Sequence, residues 1–197
     1  MTMEPFLTKL YDKRIILASN SPRRQELLKA LGVDFEVKVH PVDETVPTDL
    51  PAEYAAAYLS KLKADSFPVP LGENEILITA DTIVIVKSRI LGKPNSELEA
   101  FKMIKSLSGA THTVMTAVTF KDSKRQITVE DEAKVSFRFL EEDEIWYYIR
   151  NFKPFDKAGA YGIQEWIGFV GVTSIEGSYF TVMGFPQHLV YQQLKKW

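Results

Sequence analysis

The stretch Ile15-Ile16-Leu17-Ala18-Ser19-Asn20-Ser21-Pro22-Arg23-Arg24 sets the first pair of elements. Four β-type apolar residues run into a polar turn, and over residues 23–31 apolar side chains recur at helical spacing until Gly32 stops them. Ser21 suits the N-cap, where its side-chain oxygen accepts a first-turn N–H. Pro22 suits the first helical position, where its missing N–H would be unpaired anyway. The reading is a strand–turn–helix unit with a well-marked helix start.

C-terminal to this unit, 35–39 alternates as a half-buried strand, and 52–66 reads as a helix rich in Ala, Tyr and Leu. Residues 76–80 and 82–86 form a nearly continuous apolar strand, interrupted at Asp81. Ser96-Glu97-Leu98-Glu99 is a capping-box pattern for a helix running to about Leu107, ended by Ser108-Gly109. Two long β-type runs, 111–121 and 127–139, join through Asp122-Ser123-Lys124 as a hairpin, and 141–151 is a helix with an acidic first turn. Residues 169–175 read as a strand, and Gly184-Phe185-Pro186 introduces a last helix through Lys195. The sum is a mixed α/β protein. No composition shift, repeat or low-complexity tract divides the chain, so one domain over 1–197 is expected.

The 197 residues bury a real core without staples, and 45% hydrophobic with 25% charged residues is a globular composition. A formal net charge of −2 provides no global positive field for gathering nucleic acid or anionic lipid. The absence of Cys removes thiol nucleophiles and Cys-ligated zinc. His40, His112 and His188 lack metal-ligand spacing, and no Gly-x-Ser-x-Gly elbow is present. The stretch 1–14 has no apolar signal region, and no apolar run approaches the roughly 20 residues of a membrane span, so a cytoplasmic protein is expected.

Several groups suit chemistry on phosphates. Ser19, Ser21, Arg23 and Arg24 surround a helix N-terminus, whose N–H groups and partial positive charge favour an anion; the alternative is a capped helix with its Arg residues in water. Asp81, a carboxylate amid apolar residues, belongs at a strand end or cleft floor. There it could bind Mg²⁺ or take a proton from water, or else cap a turn between two short strands. Glu44 is either a second metal-facing carboxylate or part of a solvated Asp43-Glu44 loop. Gly92-Lys93-Pro94 projects an ammonium from a tight turn. Lys157-Ala158-Gly159-Ala160-Tyr161-Gly162-Ile163-Gln164 has small residues that let backbone approach a ligand, and ends in an amide able to meet a base edge. It is otherwise an ordinary Gly-containing turn. Trp146, Tyr147 and Tyr148 read as packing residues on a helix.

Taken in order, 17–24, Lys63-Ala64, Ala80-Asp81-Thr82, Gly92-Lys93-Pro94, Leu107-Ser108-Gly109 with His112, 157–164, and Gly177-Ser178-Tyr179 before Gly184-Phe185-Pro186 closely resemble the Maf family of nucleoside triphosphate pyrophosphatases. The resemblance covers about residues 14–195. It implies a mixed α/β fold with an elongated central sheet and helices, two lobes around a deep cleft, similar to inosine triphosphate pyrophosphatases, and a homodimer. It implies hydrolysis of a nucleoside triphosphate between the α and β phosphates with Mg²⁺ or Mn²⁺. By that resemblance Asp81 is the proton acceptor, with Lys63 and Lys93 beside it as catalytic residues, and Asp81 and Glu44 hold the metal. The substrate set is Ser19, Ser21, Arg23, Arg24, Thr82, Lys157 and Gln164, among which Arg23, Thr82 and Gln164 match the branch acting on dTTP and UTP rather than 7-methyl-GTP. The chain departs from the usual family pattern at Phe180-Thr181 and at the bulky Glu165-Trp166-Ile167. Two other readings are a cell-division regulator with incidental catalysis, suggested by the family's older association with septum formation, and an RNA-binding protein, for which no aromatic ribonucleoprotein motif is present.

Overall fold

In the computed structural model, which describes Leu7 and residues 10–197, the elements follow the alternation of the sequence. Most of the stretch 1–14, read as lacking a secretory signal, lies outside the described residues. Strand β1 (Arg14–Leu17) leads into α1 (Pro22–Ala30), β2 (Phe35–Val37), a 3-10 turn (Ala52–Tyr54) and α2 (Ala55–Asp65). Then come β3 (Glu75–Val86), β4 (Arg89–Leu91), α3 (Glu97–Leu107), β5 (Thr111–Lys121), β6 (Gln126–Phe137) and α4 (Glu142–Phe152). A 3-10 turn (Ala158–Ala160), α5 (Trp166–Gly171), β7 (Val172–Glu176), α6 (Tyr179–Met183) and α7 (Gln187–Lys195) complete the chain. The strands are ordered β2-β1-β3-β5-β6-β7, with β4 paired to β3. β1 runs parallel to both β2 and β3, whereas β4 on β3 and β7 on β6 are antiparallel, so the sheet is mixed as expected.

The chain forms two compact units, one of Met1–Asp81, Thr116–Asp131 and Gly184–Trp197, the other of Thr82–Met115 and Glu132–Met183. Neither is a continuous stretch, which is why no linker composition marks a boundary. In the first unit the parallel β1–β2 pair needs a crossover, and α1 supplies it. Ser21 caps α1 by accepting from Arg24 N, and Pro22 occupies its first turn, as the sequence predicts. Ile16, Leu77 and Ala64, from β1, β3 and α2, pack as a small buried cluster. The second unit holds a larger core in which Ala100, Ile104 and Leu107 of α3 meet Ile145, Tyr148 and Ile149 of α4, with Val135, Phe137 and Tyr161.

Three expectations are corrected. Asp81 does not interrupt its strand, because β3 is unbroken from Glu75 to Val86. Residues 169–171 belong to helix α5 and strand pairing begins only at Val172. The apolar run there has no periodicity to separate the two, and the helix depends on Gly168, where a Cβ would lie 1.9 Å from the Ile163 carbonyl oxygen. β2 ends at Val37, with Val37 and Val39 exposed rather than half-buried, because its partner β1 ends at Leu17.

Within the second unit, His112 is buried, its Nε2 2.7 Å from the Tyr161 hydroxyl and its ring stacked on Phe137. Burial pushes the imidazole down to about 4, below the 6.5 of a solvated histidine. The unfolded chain therefore binds a proton between pH 6.5 and 4 that the folded chain refuses, so stability falls as pH drops through that window. The expected loss approaches about 3 kcal/mol. Thermal unfolding of the parent and of His112→Gln across this window checks it, since the slope assigned to His112 should vanish in the variant.

Candidate active site

In the first unit, a buried polar contact fixes how α2 lies on β3. The Thr79 hydroxyl donates to the Ser60 carbonyl at 2.7 Å, and the Ser60 hydroxyl pairs with Thr119 Oγ1 of β5 at 2.8 Å. Buried hydroxyls require such partners, so they lock the helix in register. One turn on from Ser60, Lys63 shares its helix face; two residues on from Thr79, Asp81 shares its strand face. Lys63 Nζ accordingly forms a hydrogen-bonded ion pair with Asp81 Oδ1. This pairing explains how a carboxylate sits inside an unbroken strand: the side-chain charge is met by an ammonium while the backbone keeps its sheet bonds.

Lys63 Nζ also lies 3.1 Å from Glu44 Oε1. Neighbouring Asp43 is used locally, accepting from the Thr45 backbone N–H at 3.1 Å and its hydroxyl at 2.6 Å, an Asx turn that shapes the loop. The Asp43-Glu44 pair therefore divides into a loop-shaping Asp and a Glu that faces Lys63.

Arg24, one turn into α1, donates from Nε to the Gly184 carbonyl at 2.9 Å and from Nη1 to the Ala80 carbonyl at 2.8 Å, with Ser19 Oγ at 3.5 Å. Ser19 Oγ also accepts from Ser21 N–H at 3.2 Å. Burial lowers the Arg24 pKa, while the Asp81 carboxylate opposes that shift, Arg23 adds to it and Glu44 opposes it. Arg24 is thus an organising cation: it ties the start of α1, the residue before Asp81 and the approach to α7. Arg23 stands beside it, partly buried in the first turn.

Two carboxylates meeting on one ammonium form a site of concentrated negative charge with hard oxygen donors. Mg²⁺ and Mn²⁺ take one or two carboxylates and complete their shell with water and phosphate oxygens, so Asp81 and Glu44 fit such an ion. Among the described residues no group of three or more His, Cys, Asp or Glu is gathered for a metal, so a dedicated all-protein cage is not built.

In the second unit, Gly92-Lys93-Pro94 follows β4, with Lys93 exposed. The Gly92 carbonyl accepts from Gly159 N–H at 3.0 Å, which joins this turn to the 157–164 segment. Gly159 adopts φ +68°, and a Cβ there would lie 3.1 Å from the Val84 methyls, so glycine answers both the conformation and the close approach. Lys157 is buried, its Nζ 2.7 Å from Asp156 Oδ1 and 3.1 Å from Glu165 Oε1. The Glu165 carboxylate also accepts a short hydrogen bond from the Tyr148 hydroxyl. Burial, then the Glu165 contact, raises the Tyr148 pKa far above the ordinary phenol range, so it remains protonated. Gln164, partly buried, occupies the turn closed by Glu165 N–H donating to the Gly162 carbonyl at 3.0 Å. Thr82, partly buried, directly follows Asp81 in β3.

The structure brings Glu44, Lys63 and Asp81 together, and Ser19, Ser21 and Arg24 beside them at the start of α1; Thr82, Lys93, Lys157 and Gln164 are in the second unit. Sequence reasoning missed Tyr148 and Glu165 as polar partners. The available signal was a tyrosine hydroxyl on the apolar face shared by Ile145 and Ile149, since a buried tyrosine needs a partner for its O–H.

Carboxylates, cations and a helix N-terminus gathered in the first unit suit the handling of phosphate groups. The model of the Maf-like protein family matches residues 14–197, and the chain belongs to that family. It is 50% identical over 186 residues to a dTTP/UTP pyrophosphatase of Flavobacterium johnsoniae, covering 94% of this chain and 96% of that protein. It is 50% identical over 187 residues to a protein of the same name in Christiangramia forsetii, covering 95% of each. A third, from Bacteroides fragilis, is 48% identical over 191 residues, covering 96% of this chain and 99% of that protein. Among solved structures, the Staphylococcus aureus Ham1 protein superposes with a TM-score of 0.47 at 16% identity, covering 92% of this chain and 100% of that one.

Proposed function

We propose that this chain is a nucleoside triphosphate pyrophosphatase that hydrolyses dTTP and UTP to the monophosphate and pyrophosphate. Relatives half identical to it over nearly their whole length carry the name dTTP/UTP pyrophosphatase, and that observation carries the reading. The reading of the chain as a cell-division regulator with incidental catalysis is not favoured by these relatives. No helix among the described residues is long and apolar enough to cross a membrane. We place the enzyme in the cytoplasm, as a homodimer whose ligand is a free nucleotide rather than a nucleic acid.

The chemistry follows from the residues. Hydrolysis between the α and β phosphates needs a positioned water and neutralisation of the charge on the phosphate oxygens and the leaving pyrophosphate. Asp81 orients the water and accepts its proton as the new P–O bond forms and the bridging P–O bond breaks. Lys63 keeps the Asp81 carboxylate in place and, with Lys93, carries positive charge toward the phosphates. The α1 N-terminus with Ser19, Ser21, Arg23 and Arg24 holds phosphate oxygens. Asp81 and Glu44 would hold Mg²⁺ or Mn²⁺, which when bound supplies further charge neutralisation. Arg23, Thr82 and Gln164 distinguish the base, with Gln164 offering one donor and one acceptor to the uracil or thymine edge.

Replacing Gln164 with Ala tests base selection. The ratio of kcat/KM for UTP over that for CTP and for ATP is expected to fall about tenfold or more, consistent with ~1–3 kcal/mol for a two-point base contact. kcat should change by less than about threefold, because the amide takes no part in the proton transfer. An unchanged ratio would remove Gln164 from base recognition.

A further inference from the structure

The segment that carries Gln164 is held by a network that the hydrolysis itself does not use. Tyr148 projects from α4 into the second unit's core, fully buried, and its hydroxyl accepts from Gly162 N–H at 3.0 Å while donating to the Glu165 carboxylate. Gly162 and Glu165 are the first and last residues of the turn whose third residue is Gln164. One hydroxyl therefore ties both ends of the turn that presents the amide. The other Glu165 oxygen takes the Lys157 ammonium, which clamps the start of the same segment.

Two further observations show that this geometry is built rather than incidental. A Cβ at Gly162 would lie 2.8 Å from Glu165 Cδ, so the glycine makes room for the carboxylate. Between the two anchors, Gly159 and Ala160 are both left-handed, with φ of 68° and 59°. An alanine in that region is strained, and such a conformation persists only where the surroundings over-determine it.

We propose that Tyr148 and Glu165 are positioning residues for base selection, fixing the 162–165 turn so that the Gln164 amide meets the pyrimidine edge in one orientation. The inference rests on the reading of Gln164 given above. It assigns Lys157 to the clamp, through its pairing with Glu165, and explains the bulky, charged residue after Gln164 as part of the specificity apparatus. An amide held at both ends of its turn discriminates between donor and acceptor patterns on a base; a loosely held one rotates to suit either.

The test compares Tyr148→Phe, Glu165→Gln and Gln164→Ala in the full-length enzyme, measuring kcat and KM for UTP, CTP and ATP. Tyr148→Phe keeps the ring and removes both turn bonds. Glu165→Gln, at a partly exposed position, offers one acceptor where two are used, and guards against a folding failure of the core variant. We expect each to lower the UTP-over-CTP ratio of kcat/KM at least fivefold, through KM, with kcat for UTP within about threefold of the parent. Combining Tyr148→Phe with Gln164→Ala should lower the ratio no further than Gln164→Ala alone. A merely structural role would reduce activity on all three nucleotides alike. If Gln164→Ala lowers the ratio and both other variants preserve it, the positioning role is overturned and the Gln164 reading stands. If Gln164→Ala itself preserves the ratio, both are overturned.

Discussion

Asp81→Asn is expected to reduce kcat by about a thousandfold, within the 10²–10⁴ range of a positioned general base, while the protein remains folded. Asparagine is nearly isosteric, and its carbonyl still accepts from Lys63 Nζ. It cannot take a proton from water. Lys63 also retains Glu44, 3.1 Å away, so the ammonium is not left unpaired and the strand is not opened. The thermal midpoint should therefore move by no more than about 5 °C, corresponding to one or two kcal/mol in a chain of this size. Parallel measurements of turnover and thermal unfolding check the prediction. Activity within tenfold of the parent would remove Asp81 from proton transfer.

Arg24→Ala should show the converse weighting, with a large cost in stability. The substitution removes the guanidinium donors to the Gly184 and Ala80 carbonyls, both of buried residues. Each buried acceptor that loses such a donor costs about 1–3 kcal/mol, so a loss of about 3–5 kcal/mol is expected. That corresponds to a fall of about 10 °C or more in the midpoint. Arg24→Lys should rescue little of it, because an ammonium on a flexible stem cannot reproduce donors held in a planar fork. A midpoint within 3 °C of the parent for Arg24→Ala, read by calorimetry, would show that these bonds contribute little and that Arg24 acts on substrate alone.

Much of this molecule is written in local signals. Ser21-Pro22 marks the start of α1, Ser96 that of α3, and Asp122 closes the β5–β6 turn by accepting from Lys124 and Arg125 N–H. Even the capping-box expectation at Ser96 is met only in part: Ser96 accepts from Glu99 N–H, but the Glu99 carboxylate reaches the Asn95 N–H. What local pattern could not supply was tertiary compensation. Asp81 reads as a strand break because the sequence does not show Lys63 waiting on α2, aligned by the Ser60–Thr79 contact. The 166–171 helix was hidden in an apolar run, and the edge strand Arg89–Leu91 is too short for any periodicity. Among the candidate site residues, Asp81 was legible as a carboxylate in a costly place and Arg24 as a cation at a prepared helix start, whereas Lys63 entered only through the family resemblance. Tyr148 and Glu165 were not legible, because their pairing joins positions on separate elements and one of them resembles ordinary core.

The identity of the products tests the pyrophosphatase reading most directly. Incubating the protein with dTTP and UTP in Mg²⁺ or Mn²⁺, and resolving pyrophosphate from orthophosphate, should give pyrophosphate and nucleoside monophosphate in equal amounts, with both substrates preferred over purine triphosphates and 7-methyl-GTP. Orthophosphate with nucleoside diphosphate, or no hydrolysis of either nucleotide, would contradict it.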